Sequence, residues 1–234
     1  DAMDTLLANS QTLPGSVTGS LAASTFSPAQ PGVTLFAARY DTARWSGDIA
    51  ARALEGDAAP WGRRPGTALP HTSASLLDAR DPDTRVVVSS KGRAAELSGI
   101  AWRWDQLSPT QQTALDGDHE GLGPQRLAFL RGDRSREAAH GGPFRDRASR
   151  QADSVNARLW YAPGRAATQS EAARPPMLYL GGNGGMLHAF DATTGAERFA
   201  YVPQGVVPQL AALTRPQYTH QYFVDGSPFT ADDV

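Results

Sequence analysis

Between residues 177 and 202 three short apolar runs alternate with two glycine-bearing breaks, and this pattern restricts the fold more than any other stretch. Residues 177–180 (Met-Leu-Tyr-Leu) read as a strand. Gly181, Gly182, Asn183, Gly184 and Gly185 follow, and an Asn-Gly pair tolerates the positive φ angles of a type I′ hairpin. Residues 186–190 (Met-Leu-His-Ala-Phe) read as the return strand. Asp191 then opens a second turn: its carboxylate can accept backbone N–H bonds two residues on, and Gly195 suits a left-handed position. A third strand over 196–202 puts Phe199 and Tyr201 on one face and Ala200 and Val202 on the other. Three antiparallel strands joined by tight turns match most of one four-stranded propeller blade.

Upstream the signals are more scattered. Residues 1–32 are mostly Ala, Ser, Thr, Gly, Pro and Gln and read as a linker or loosely packed lead-in. Residues 33–40 and 45–54 read as a hairpin closed by the four-residue turn 41–44. Residues 55–75, with three prolines and three glycines, read as loop. Residues 85–90 read as a β-branched strand paired with 99–104. Ser108 before Pro109 is an N-cap signal for a short helix, and 124–130 reads as a second helix whose apolar side is Leu127, Phe129 and Leu130. Residues 131–150 carry six arginines against three acidic residues and read as a polar, solvated loop. The fold expected is all-β, an incomplete propeller over 33–234 with a helical and loop insertion at about 105–150.

Composition removes several classes of chemistry. There is no cysteine, so disulfides, thiolate metal sites and cysteine nucleophiles are excluded. A net charge of −2 gives no global case for nucleic acid as a partner, and aromatics are not interleaved with the arginines of 131–150. No run of about 18 apolar residues predicts a transmembrane helix. Both ends read as cuts in a longer polypeptide.

The segment 179–203, with its Gly-Asn-Gly turn, Met-Leu-His-Ala-Phe, Thr-Gly turn and Glu-Arg-Phe-Ala-Tyr-Val-Pro, resembles a signature of the PilY/PilC family of type IV pilus tip-associated proteins. Residues 218–228, Trp45-Ser-Gly47, 130–137 and 144–147 resemble further motifs of that family in the expected order. Residues 151–162 depart from it: Asp153, Val155, Asn156 and Tyr161 fit, whereas a glycine, a serine pair and a proline are missing, so a weak strand is expected at 159–162. The resemblance implies a modified propeller of the quinoprotein dehydrogenase-like shape in a non-catalytic protein of pilus biogenesis and adhesion. It implies export to the pilus tip, cell surface or outer membrane of a Gram-negative bacterium. The partners implied are minor pilins or the pilus tip complex and a host or abiotic surface. It also implies calcium binding through an Asp-rich loop beyond Val234, with no cofactor in this segment. A propeller cut open exposes a blade face and a sheet edge, so the 234 residues alone are expected to be poorly soluble.

Two alternatives stand beside this reading. A quinoprotein dehydrogenase of the pyrroloquinoline quinone type would need a cofactor pocket that these residues do not assemble, and Phe199 and Tyr201 occupy the place of its docking tryptophan. A purely structural scaffold propeller would need neither calcium nor pilin contact. Among single sites, no catalytic and no metal residue is assigned. Asp116, Asp118 and Glu120 resemble the start of a calcium loop, but Leu127 stands at its twelfth position and a solvated turn between helices is the expected reading. Arg131-Gly132-Asp133 is a possible adhesion motif or a structural turn. His188 and His220 read as structural histidines, and Asp191, Asp225 and Gly226 as turn residues.

Overall fold

The computed structural model describes residues 16–24, 32–56, 58–93, 96–166 and 172–230. They form two β-sheets and a helical layer. The first sheet is an antiparallel meander of β1 (Ser16–Ala23), β2 (Thr34–Asp41) and β3 (Ser46–Ala53). The second has six strands in the order β5-β4-β9-β8-β7-β6, from β4 (Val87–Lys91), β5 (Ser98–Ala101), β6 (Trp160–Ala162), β7 (Met177–Gly182), β8 (Met186–Asp191) and β9 (Glu197–Val202). The helices are α1 (Ser73–Ala79), α2 (Pro109–Asp116) and α3 (Gly123–Arg131), and a long 3-10 segment after β9, Gln204–Thr214, packs on α2 and α3. No helix is long and apolar enough to cross a membrane among the described residues.

The hairpins expected from alternation and turn chemistry are present, as are both central helices. Ser108 caps α2 in a capping box with Gln111, and its Oγ accepts from the Gln111 N–H at 3.3 Å. Asp191 Oδ1 accepts from Thr193 and Thr194 N–H at 2.9 and 3.1 Å, with Gly195 left-handed at φ 75°. The expected weak strand at 159–162 is the three-residue β6.

The expectation of a β-rich chain holds, with two sheets and few helices, and no closed propeller is found among the described residues: β6 to β9 form a four-stranded antiparallel unit, which β4 extends by pairing parallel to β9. Other expectations need correction. Residues 16–23 of the supposed lead-in form β1, paired along its length with β2, whereas residues 1–15 and 25–31 lie outside the described residues. The α1 helix begins at Ser73 inside a stretch read as loop. The turn after β7 is not type I′. Asn183 and Gly184 lack positive φ, and Gly185 alone enters the left-handed region at φ 84° in a three-residue connection closed by Gly185 N–H to Gly182 O at 3.1 Å.

Register places Leu178, Leu180, His188, Phe190, Ala200, Val202, Val87 and Ser89 on one face of the large sheet, all buried. At the β7–β8 side this face meets Phe36, Ala38, Ile49 and Ala51 of the small sheet, together with Trp61. At the β9–β4 side it meets Trp102, Leu115, Leu127, Phe129, Phe144 and Leu210 of the helical layer. The other face carries Trp160, Tyr179, Leu187, Phe199, Tyr201 and Val88 and is half-buried.

Candidate functional site

The signature strands carry a charged network in the interior of the sheet. Arg85 and Glu197 are 2% and 4% exposed, and they pair side-on: Nε donates to Oε2 at 2.8 Å and Nη2 to Oε1 at 2.9 Å. His188 on β8 brings Nδ1 to the same Oε1 at 2.8 Å and stacks on Phe190. Burial alone would raise the Glu197 pKa, but the His188 hydrogen bond and the Arg85 charge overcome it and hold the carboxyl at about 2. His188 thus has a specific buried partner in Glu197. A remaining donor of Arg85, Nη1, reaches the carbonyl of Arg131 at 2.5 Å.

That contact belongs to a wider pattern that corrects the reading of 131–150 as a solvated surface. Arg147 donates to Phe129 O and Asp133 O, both at 2.7 Å, and lies 3.6 Å over the Phe129 ring. Arg150 donates to Gly132 O at 2.7 Å and to the C-terminal carbonyls of Leu77 and Asp78 at 3.0 and 2.7 Å. Glu137, fully buried, accepts from Arg134 and Arg147 at 3.0 and 2.8 Å. Burial lowers the Arg147 pKa to about 10, against the pull of Glu137. Guanidinium groups carry five donors each, so they can satisfy helix-end carbonyls that would otherwise be buried without partners.

The Arg131-Gly132-Asp133 tripeptide lies inside this arrangement. Arg131 is 6% exposed, with Nη1 on Trp102 O at 3.1 Å and Nη2 on Arg85 O at 3.0 Å. Gly132 ends α3, its N–H donating to Phe129 O at 2.9 Å. Asp133 caps the following turn through Ser135 N–H at 2.8 Å. The arginine is a buried tie and is not presented to a receptor, which corrects the adhesion-motif alternative.

The glycine run seats the C-terminal segment. Asn183 Nδ2 donates to Asp153 Oδ2 at 2.7 Å, and His220 Nε2 approaches the same oxygen at 2.9 Å. Asn183 Oδ1 accepts from Phe223 N–H at 3.1 Å. His220 stacks on Trp45 with ring centroids 3.6 Å apart. Trp45 holds φ 50°, an unusual angle for a bulky residue, at the end of the β2–β3 turn. Gly181 is where 224–226 crosses β7, since a Cβ there would lie 2.5 Å from Val224 O and 3.1 Å from Gly226 O. Gly182 and Gly184 face Asp153 and Ala152. Asp225, expected to serve its own turn, instead accepts from the Asn156 backbone at 3.1 Å and from the Asn156 amide. Sequence reading missed Asp153 as the common acceptor because its partners lie 30 and 67 residues away.

The candidate calcium loop does not fit a metal. Asp116 Oδ1 accepts from Gly121 and Gly123 N–H at 3.0 and 2.8 Å, and Asp118 pairs with Arg126 at 2.6 Å. These bonds fasten the turn between α2 and α3.

Comparison with curated proteins places this arrangement in context. The chain is 36% identical over 191 residues to the type IV pilus biogenesis factor PilY1 of Pseudomonas aeruginosa strain PAK, covering 69% of the chain and 16% of that protein. Two PilY1 homologues of Xylella fastidiosa match at 42% over 125 residues, 46% of the chain and 10% of the relative, and at 33% over 194 residues, 71% of the chain and 13% of the relative. The chain is related to the PilY1-type type IV pilus factors. It spans between a tenth and a sixth of the length of these PilY1 relatives. No family model matches the chain. No solved structure matches it either. The family resemblance read from the motifs of 179–203 and 218–228 is thereby shown for PilY1, and the structure gives those motifs a shared task, the seating of the C-terminal segment on β7.

Proposed function

We propose that this chain is part of a non-catalytic type IV pilus biogenesis and adhesion protein, acting at the surface of a Gram-negative bacterium, and that it forms a sector of a β-propeller. The kinship to PilY1 factors, at 31–42% identity, carries the reading. The antiparallel unit β6 to β9 supports the propeller: its outer face offers Trp160, Tyr179, Leu187, Phe199 and Tyr201 half-buried, which is what one blade offers the next. The non-catalytic part is supported by the relatives, which are named as biogenesis factors. Loops on such a scaffold would present contacts to minor pilins, and calcium would be bound by another part of the polypeptide.

Two measurements test this. Deleting residues 33–230 in frame from the full-length gene is expected to abolish surface pili and minor-pilin capture; normal pili and normal attachment in that strain reject the reading. Phe199→Glu is expected to cost about 2–3 kcal/mol in the full-length protein, where a neighbouring blade buries the ring, and under about 1 kcal/mol in the 234-residue chain. Equal effects in the two contexts reject the propeller stacking.

A further inference from the structure

A cleft of about 490 Å³ opens between the β2–β3 hairpin, α1 and the segment 148–149, away from the signature glycines. Its volume falls within the usual range for small-ligand sites. Three arginines, Arg39, Arg44 and Arg64, and three aspartates, Asp41, Asp48 and Asp78, line it. The aspartates are already engaged. Asp48 accepts from the Ala74 N–H at 3.1 Å and faces Arg39 Nη2 at 3.3 Å. Asp41 Oδ1 accepts from Ala43 N–H at 2.8 Å, and Asp78 Oδ1 from Arg150 N–H at 2.7 Å.

The arginines are not engaged to the same degree. Arg64 Nη2 makes one long contact, 3.5 Å to Thr72 Oγ1, and its Nε is buried without a hydrogen-bond partner. Arg44 lies 3.9 Å from Asp41, with a side chain 72% exposed. Arg39 spends one of five donors on Asp48. The cleft therefore holds spare, directional cationic donors, while each aspartate is partly engaged and keeps lone pairs for further donors, and a buried donor left unmade is costly. A planar carboxylate matches a guanidinium fork side-on. A polyanion would meet the three aspartates. Hydroxyl groups both donate and accept, so they suit a wall where arginine and aspartate alternate with the hydroxyls of Ser46, Thr72 and Tyr40.

From this geometry we propose that the cleft binds a small acidic saccharide, with the sugar carboxylate held by Arg64 and Arg39 and the ring hydroxyls by the serine, threonine and aspartate wall. The placement stands apart from the pilus reading, because it rests on donors and acceptors of the cleft alone.

Calorimetric titration of the full chain at low salt with galacturonate, galactose and inorganic phosphate tests it. Galacturonate is expected to bind at least about tenfold more tightly than galactose or phosphate, the margin of a charge-assisted bidentate contact. Arg64→Gln is expected to remove that advantage while the circular dichroism spectrum stays unchanged. Arg44→Gln, on an exposed side chain that cannot unfold the protein, is expected to weaken galacturonate about threefold by lost attraction. Galacturonate binding no better than galactose overturns the proposal. Phosphate equal to galacturonate overturns it in favour of a simple anion site, and unchanged affinity in both arginine variants overturns the assignment to this cleft.

Discussion

Replacing Glu197 by alanine is expected to destabilise the chain by about 3–5 kcal/mol, because Arg85 would remain charged and buried with no carboxylate opposite it. Urea denaturation of the variant measures the loss. The double variant Glu197→Leu with Arg85→Met is expected to recover most of it, since a buried pair replaced by apolar groups of similar volume is often neutral. Single and double variants with the same loss would show that the pair contributes nothing specific. The same carboxylate predicts an acid limb. Its folded pKa is depressed from 4.5 to about 2, so its contribution is complete above the unfolded value and is lost as pH falls through the folded one. Roughly 3 kcal/mol should disappear between about pH 4.5 and pH 2, because each tenfold difference in proton affinity between the folded and unfolded chain is worth about 1.4 kcal/mol. Glu197→Gln should lack that limb, and the stability curves of the two proteins should converge toward pH 2.

The parts of this fold that were readable in the sequence are those whose causes are local. The hairpins at 34–53 and 177–202 announce themselves by period-2 alternation and by turn residues that act within three positions, as Asp191 does for Thr193 and Thr194. Ser108 caps its helix from three residues away and is equally visible. β1 was not readable because Ser-Val-Thr-Gly-Ser-Leu-Ala-Ala has little alternation of its own; the pairing with β2 holds it in place. α1 hid because its capping box uses Ser75 where glutamate or glutamine would be the signal. The parallel pairing of β4 with β9 joins residues more than a hundred positions apart, which no window on the sequence can see.

The arginine stretch failed as a surface for a related reason. Six arginines in 20 residues look solvated when each is judged by its charge. Their use depends on helix ends brought beside them by the fold: Phe129, Gly132 and Asp133 at the end of α3, and Leu77 and Asp78 at the end of α1. A lysine could not substitute, since one ammonium nitrogen cannot occupy both positions from which Arg150 Nε reaches Gly132 O and Nη1 reaches Leu77 O and Asp78 O. The Arg131-Gly132-Asp133 tripeptide is therefore better explained by three neighbouring guanidinium groups, Arg85, Arg147 and Arg150, closing on the same helix end.

Gly181→Val is expected to unseat residues 218–230 and to cost roughly 3 kcal/mol, because the added atoms fall on the backbone of Val224 and Gly226, which cannot swing away as a side chain could. The loss has a visible local signature. With the segment displaced, Asp153 loses His220, Asn183 loses the Phe223 N–H, and Trp45 loses the ring stacked on it. Chymotrypsin should then cleave after Tyr222, which is exposed, faster than in the parent protein, and tryptophan emission should shift to the red. Gly226→Ala is the matched control: nothing lies within 4 Å of a Cβ there, so stability should change by less than about 0.5 kcal/mol and cleavage should not accelerate. If both variants behave alike, the glycine run is a turn and nothing more. If only Gly181→Val releases the segment, the run works as a saddle, whose missing side chains let the segment cross β7 and fix the hairpin tip of the small sheet through His220 and Trp45.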